Sequence, residues 1–186
     1  GAAEDADIAI RSSAAAFDGW RKTPMADRVR LQKRLAAAMR DRAPAIAAAL
    51  HRELGRPLPA CLQEVNRAAD LLDIYAEGGL RLRSQMASGG LGGKTSVARD
   101  PVGVVVAITP FNYPLNLLMF KLGAALVAGC TVVAKPSADT PISTLMLADL
   151  FHKTGLPAGV FNVVTGAGRA IGDALVNHPI PRKIAF

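Results

Sequence analysis

Between Pro101 and Pro114 the chain passes from an unbroken apolar run into a segment that neither a strand nor a helix can absorb. Val102–Ile108 carries no polar side chain and is rich in β-branched residues, the composition of a strand covered on both faces. Thr109-Pro-Phe-Asn-Tyr-Pro114 follows at once. Its two prolines remove backbone donors and hold their predecessors extended. The strand must therefore end in a stiff loop that presents one amide, Asn112, between two aromatic side chains. Open α/β sheets hold ligands beyond the carboxyl ends of their parallel strands. An amide placed there can donate to an oxygen that gains charge in a reaction. A turn asparagine satisfying nearby backbone is the alternative, and the residues alone leave both open.

The pattern after Pro101 alternates. Strands are predicted at about Val102–Ile108, Thr131–Lys135, Val160–Val164 and Lys183–Phe186. Helices are predicted between them at about Leu115–Val127, Pro141–Thr154 and Gly168–Val176. Such alternation implies right-handed crossovers and a parallel sheet. Before Pro101 the apolar spacing is helical. One helix is expected over Asp5–Trp20, and another starts at Thr23-Pro24 with the threonine as cap and the proline in the first turn. Pro44 interrupts or restarts that helix, and Gly55-Arg-Pro57 stops it. A long helix from Leu58 to about Met86, a loop over Ser88–Gly93 and a short strand over Lys94–Ala98 complete this part. The expected architecture is α/β: a Rossmann-like parallel sheet over residues 101–186, preceded by a helical segment over residues 1–100.

Composition narrows the function classes. The 51% hydrophobic and 20% charged content is that of a globular chain. The net charge of +7 raises the question of nucleic acid, but its distribution argues against it. Residues 1–100 hold 16 basic and 12 acidic side chains, interleaved along helices, and residues 101–186 hold 6 and 3. No basic run alternates with aromatic residues as base stacking needs. Leu115–Ala128, the most apolar stretch, is interrupted by Asn116 and Lys121, so no membrane partner is expected. Cys61 and Cys130 have neither disulfide-framework nor metal-ligand spacing, and no signal-peptide pattern opens the chain. These features predict a reducing, cytoplasmic setting and no metal.

Three ordered stretches carry a resemblance: Ile108-Thr-Pro-Phe-Asn-Tyr-Pro-Leu115, Ala128-Gly-Cys-Thr-Val-Val-Ala-Lys-Pro-Ser137 and Thr154-Gly-Leu-Pro-Ala-Gly-Val-Phe-Asn-Val-Val-Thr-Gly166. Together they resemble the aldehyde dehydrogenase superfamily, from about Asp5 to Phe186, most strongly after Pro101. The resemblance implies a homo-oligomeric enzyme that oxidises an aldehyde with NAD or NADP. It implies that Asn112 donates its amide to the thiohemiacetal oxyanion. Ile108, Thr109 and Phe111 then lie beside the cofactor, and Tyr113 and Leu117 line the aldehyde tunnel. Lys135, with Ser137 nearby, would bind the adenosine ribose, although a lysine ending a strand can also simply reach solvent. Many NAD-preferring members carry glutamate where this chain has Ala138, and alanine removes that carboxylate's repulsion of a 2′-phosphate.

Two further features stay double-sided. Gly166-Ala-Gly168-Arg-Ala-Ile-Gly172 is one residue longer than the dinucleotide glycine pattern and reads equally as a tight turn; the resemblance places Gly168 near the adenine. Arg67, in Glu64-Val-Asn-Arg-Ala-Ala-Asp70, can pair with Glu64 or Asp70 on its own helix. That block also resembles non-phosphorylating glyceraldehyde-3-phosphate dehydrogenases, where the matching arginine anchors a phosphate. A guanidinium fork suits such an anion.

No cysteine here is placed as a nucleophile. Cys130 lacks a nearby histidine or lysine in sequence to make a thiolate, and Cys61 sits on an ordinary helix. The resemblance puts nucleophile and base beyond Phe186, in chains more than twice this long. The expectation is therefore a fragment of the cofactor-binding half, inactive alone. A non-catalytic dinucleotide-binding module and a self-associating remnant are the rival readings.

Overall fold

Alanine-rich helical spacing dominates the first part of a computed structural model that describes residues 1–82, 85–88 and 94–186. Its helices are α1 (Ala3–Lys22), α2 (Met25–Asp41), α3 (Ala43–Leu54) and α4 (Leu58–Gly79). An antiparallel pair follows, β1 (Gln85–Ser88) with β2 (Lys94–Val97). Then comes the alternating half: β3 (Val104–Ile108), α5 (Pro114–Ala128), β4 (Thr131–Lys135), α6 (Pro141–Lys153), β5 (Phe161–Val163), α7 (Gly168–Val176) and β6 (Lys183–Ala185). The last four strands form one parallel sheet in the order β5-β4-β3-β6.

Alternation along the strands divides the core in two. Val104, Val106 and Val133 face α1 and α7, where they meet Ala6, Ile10, Ile171 and Leu175. Val105, Ala107, Val132 and Ala134 face the opposite side, against Leu115, Leu118 and Leu122 of α5 and Leu147 and Phe151 of α6. Helices α2, α3 and α4 cover that second layer and share its core through Leu35, Leu50, Val65 and Leu72. The chain steps from β3 to β4 to β5 in one direction, then returns through α7 to place β6 on the other side of β3. The crevice where the direction reverses therefore borders the carboxyl end of β3.

Several boundaries differ from the sequence reading, each for a local reason. Helix α4 ends at Gly79, not near Met86. Gly78 and Gly79 weaken the helix there, and α5 crosses so closely that a Cβ on Gly79 would strike the Val127 side chain. Ser88, expected in a loop, ends β1, and the rest of that predicted loop, residues 89–93, lies outside the described residues. Strand β3 starts at Val104 because Gly103 has φ +122°, outside the strand region. Strand β6 ends at Ala185, pairs only with β3 among the described residues, and leaves Lys183 and Ile184 exposed.

The caps are the main surprise. Thr23 does not cap α2; its hydroxyl donates to Gly19 O at 3.2 Å and closes α1. Thr140 does not cap α6 either, and its buried hydroxyl has no partner among the described residues. The amino ends of α5 and α6 are capped from other helices. Glu53 of α3 accepts from the Ile142 and Ser143 amides, the latter at 3.1 Å. Glu64 of α4 accepts from the Leu115 and Asn116 amides at 3.0 and 3.4 Å. A carboxylate at a helix amino terminus satisfies free N–H groups and opposes the positive end of the helix dipole.

Candidate functional site

Parallel pairing brings the carboxyl ends of β3, β4 and β5 to one edge of the sheet. Ile108 lies directly across from Lys135, and Ala134 across from Val163. The Thr109 amide donates to Lys135 O at 3.1 Å and the Val164 amide to Ala134 O at 2.9 Å, so the first loop residues extend the ladder. Thr109 is buried, which pins the start of the loop after β3. Phe111, Asn112 and Tyr113 are exposed. The Asn112 side chain makes no hydrogen bond among the described residues, so the turn-stabilising alternative has no partner in the structure. Its amide stands exposed beyond the carboxyl end of β3.

The loop is held from the other side by Arg56, at the junction of α3 and α4. One Nη donates to Asn112 O at 3.0 Å, and the other pairs with Glu64. The guanidinium carbon lies 4.9 Å from the Tyr113 ring centroid, a cation–π contact. Glu64 is 2% exposed and divides its carboxylate between Arg56 and the α5 amides.

Beside this arrangement lies a cavity of about 410 Å³ lined by Gln63, Glu64, Arg67, Tyr113, Asn116, Leu117 and Phe120. Three residues named from sequence as substrate contacts, Arg67, Tyr113 and Leu117, thus share one wall. Arg67 is not consumed by its own helix. Glu64 pairs with Arg56 and Asp70 with Arg40, and Arg67 has no ion pair among the described residues. Both acids of the on-helix alternative are taken. The cavity combines an unpaired cation, an aromatic edge and aliphatic walls.

The opposite part of the sheet edge carries the residues expected to face adenosine. Lys135 is buried, and its Nζ meets one acceptor, Pro136 O at 3.2 Å. Burial without an acidic partner lowers its pKa from the usual lysine range. Three ammonium protons with one protein acceptor fit a hydroxyl-rich group such as a ribose. Ser137 is already engaged: its hydroxyl donates to Asp139 Oδ2 at 3.1 Å and accepts from the Asp139 amide at 3.3 Å. Ala138 is exposed and adds no charge, while Asp139 supplies a carboxylate one position later. Gly168 is exposed at the first residue of α7.

Cys61 and Cys130 are both buried. The Cys61 thiol points to Arg56 O at 3.6 Å, far from the role of an attacking sulfur. Among the described residues no three His, Cys, Asp or Glu side chains gather as a metal cage. Among the same residues no helix is long and apolar enough to cross a membrane.

Arg56, Glu64 and Asn116 are the site residues that sequence reasoning passed over. In sequence Arg56 stands only within a helix-stop pattern, and Asn116 only as a break in an apolar run. Glu64 did leave a signal. It lies on the same helical stripe as Cys61, Val65, Ala68 and Leu72, all buried. A carboxylate on an apolar face demands a cation or helix terminus opposite it.

The aldehyde dehydrogenase family model matches residues 1–186. The NADP-dependent glyceraldehyde-3-phosphate dehydrogenase of Streptococcus equinus is 40% identical over 190 residues, which cover 98% of this chain and 40% of that protein. An NADP(+) succinate-semialdehyde dehydrogenase of Escherichia coli is 36% identical, covering 99% of this chain and 38% of its own length. The NADP-dependent glyceraldehyde-3-phosphate dehydrogenase of Bacillus halodurans, solved with NADP, superposes with a TM-score of 0.95 at 36% identity, over 99% of this chain and 40% of that one. The chain thus spans about two-fifths of the relatives it matches.

Proposed function

This chain belongs to the aldehyde dehydrogenase family, and on that premise we propose that it forms the oxyanion-binding and adenosine-binding part of an NAD(P)-dependent enzyme oxidising a small anionic aldehyde to its acid. The observation that carries the reading is the free Asn112 amide at the carboxyl edge of the sheet, beside a cavity holding the unpaired Arg67. Arg67 draws the anionic end of the aldehyde into the cavity, and Tyr113 and Leu117 shape the path to the carbonyl. Asn112 donates to the carbonyl oxygen as a nucleophile attacks and charge accumulates there. Lys135 offers its spare ammonium protons to the ribose hydroxyls, and Phe111, Ile108, Thr109 and Gly168 complete that surface. The bound nicotinamide supplies the hydride acceptor. Nucleophile and base come from residues outside this sequence. Residues 1–100 and 101–186 act as the helical and strand-bearing parts of one cofactor domain, in a cytoplasmic homo-oligomer.

The relatives named for glyceraldehyde 3-phosphate and succinate semialdehyde both act on anionic aldehydes, and both are NADP-dependent. With Ala138 in place of an acid, NADP is the favoured cofactor, Asp139 being held back by Ser137. The full-length protein is expected to form NADPH when given such an aldehyde, and Gly1–Phe186 alone to form none. Strong exclusion of NADP in a calorimetric titration refutes the cofactor preference, and turnover by the isolated segment refutes the division of labour. The comparisons favour this enzyme over the non-catalytic and self-associating modules.

Arg67 gives a separate test. Arg67→Glu in the full-length protein is expected to raise KM for anionic aldehydes about 100-fold, the loss of about 3 kcal/mol from a charge-assisted pair. KM for neutral aldehydes should barely move. Equal effects on both substrate classes refute the anion site.

A further inference from the structure

The loop that presents Asn112 has little main-chain support of its own. Its start is tied to β4 through the Thr109 amide, and its end enters α5 at Pro114. The Leu115 and Asn116 amides donate to Glu64 and not to the loop carbonyls. The Asn112 carbonyl instead accepts from Arg56 at 3.0 Å, across 56 positions of sequence. Arg56 is itself fixed at both ends. Its carbonyl meets His51 Nδ1 at 2.6 Å and the Cys61 thiol at 3.6 Å, and its guanidinium is oriented by the buried Glu64 and laid over Tyr113.

Resting on the reading of Asn112 as the oxyanion donor, we infer that Arg56 is the positioning residue for that amide. Glu64 sets the guanidinium plane, the guanidinium fixes the Asn112 main chain, and the side chain thereby acquires one direction. One planar fork makes both contacts at once, which a single ammonium cannot reproduce. The Tyr113 ring under the guanidinium restricts the fork further. Displacing a reacting group by about 1 Å can cost about 100-fold in rate, and the clamp removes that freedom without touching substrate.

The test is a double-mutant cycle in the full-length enzyme, with kcat, both KM values and melting temperature measured for each variant. Arg56→Ala should lower kcat between about 10- and 100-fold with KM values within about threefold. In an Asn112→Ala background, Arg56→Ala should lower kcat by less than about threefold, because no amide remains to misalign. Arg56→Lys should recover most of the melting temperature through its charge opposite Glu64, yet keep the low kcat. Equal losses from Arg56→Ala in both backgrounds overturn the inference, as does full recovery of kcat by Arg56→Lys. If Asn112→Ala alone leaves kcat unchanged, the oxyanion reading falls and the positioning role falls with it, an outcome distinguishable from failure of the clamp alone.

Discussion

Asn112→Ala in the full-length enzyme is expected to lower kcat by about 100- to 1000-fold, the range for removing one preorganised oxyanion donor. The aldehyde KM should change little, because the amide gains most where the oxygen gains charge and little in the ground state. Stability should be nearly untouched. The side chain is exposed and has no hydrogen-bond partner among the described residues, and surface changes of that kind usually stay within about 0.5 kcal/mol. Asn112→Asp is the sharper control. It preserves size but replaces a donor with a negative acceptor, so it should be at least as slow as alanine. Rates for both variants within threefold of the parent, at unchanged melting temperature, would remove Asn112 from the chemistry. A large fall in melting temperature would instead make it a turn residue.

The strand-loop junction at Ile108–Thr109 was legible because two facts coincide there: an apolar run long enough to be buried on both faces, and prolines that forbid its continuation. Lys135 was legible for a similar reason, a cation at the end of a run that pairs in register with β3. The second layer of the site was not legible, because it is made by contacts distant in sequence. Nothing local to Pro114 says that Glu64 will take its helix amides. Thr140, which has the local chemistry of a cap, has no hydroxyl partner among the described residues, while Glu53 does the capping from α3. At α6 the local rule failed because tertiary packing brought the Glu53 carboxylate to the same amides, and at α2 because the Thr23 hydroxyl turns back to Gly19 O. Arg67 shows the complementary case. Its helical neighbours looked like partners until Arg40 and Arg56, from other segments, claimed them.

That second layer makes its own prediction, the largest in stability. Glu64→Ala is expected to destabilise by about 2–3 kcal/mol, because it strips the acceptor from buried helix amides and from a half-buried guanidinium. Three groups lose their acceptor together: the Arg56 guanidinium and the amides of Leu115 and Asn116. Glu64→Gln should lose less, since its amide oxygen can still accept from the α5 amides while the charge opposite Arg56 is gone. The two substitutions therefore separate capping from ion pairing, and the order of their melting temperatures is the measurement. Replacing both partners, as Arg56→Met with Glu64→Leu, should regain part of what Glu64→Ala loses, because no buried charge is then left alone. It should regain no kcat, because Asn112 O has no donor in that variant. A double variant that melts higher than Glu64→Ala and stays slow separates the pair's two effects. One that recovers speed along with stability would show that the ion pair serves only the fold, and that the loop holds Asn112 without help.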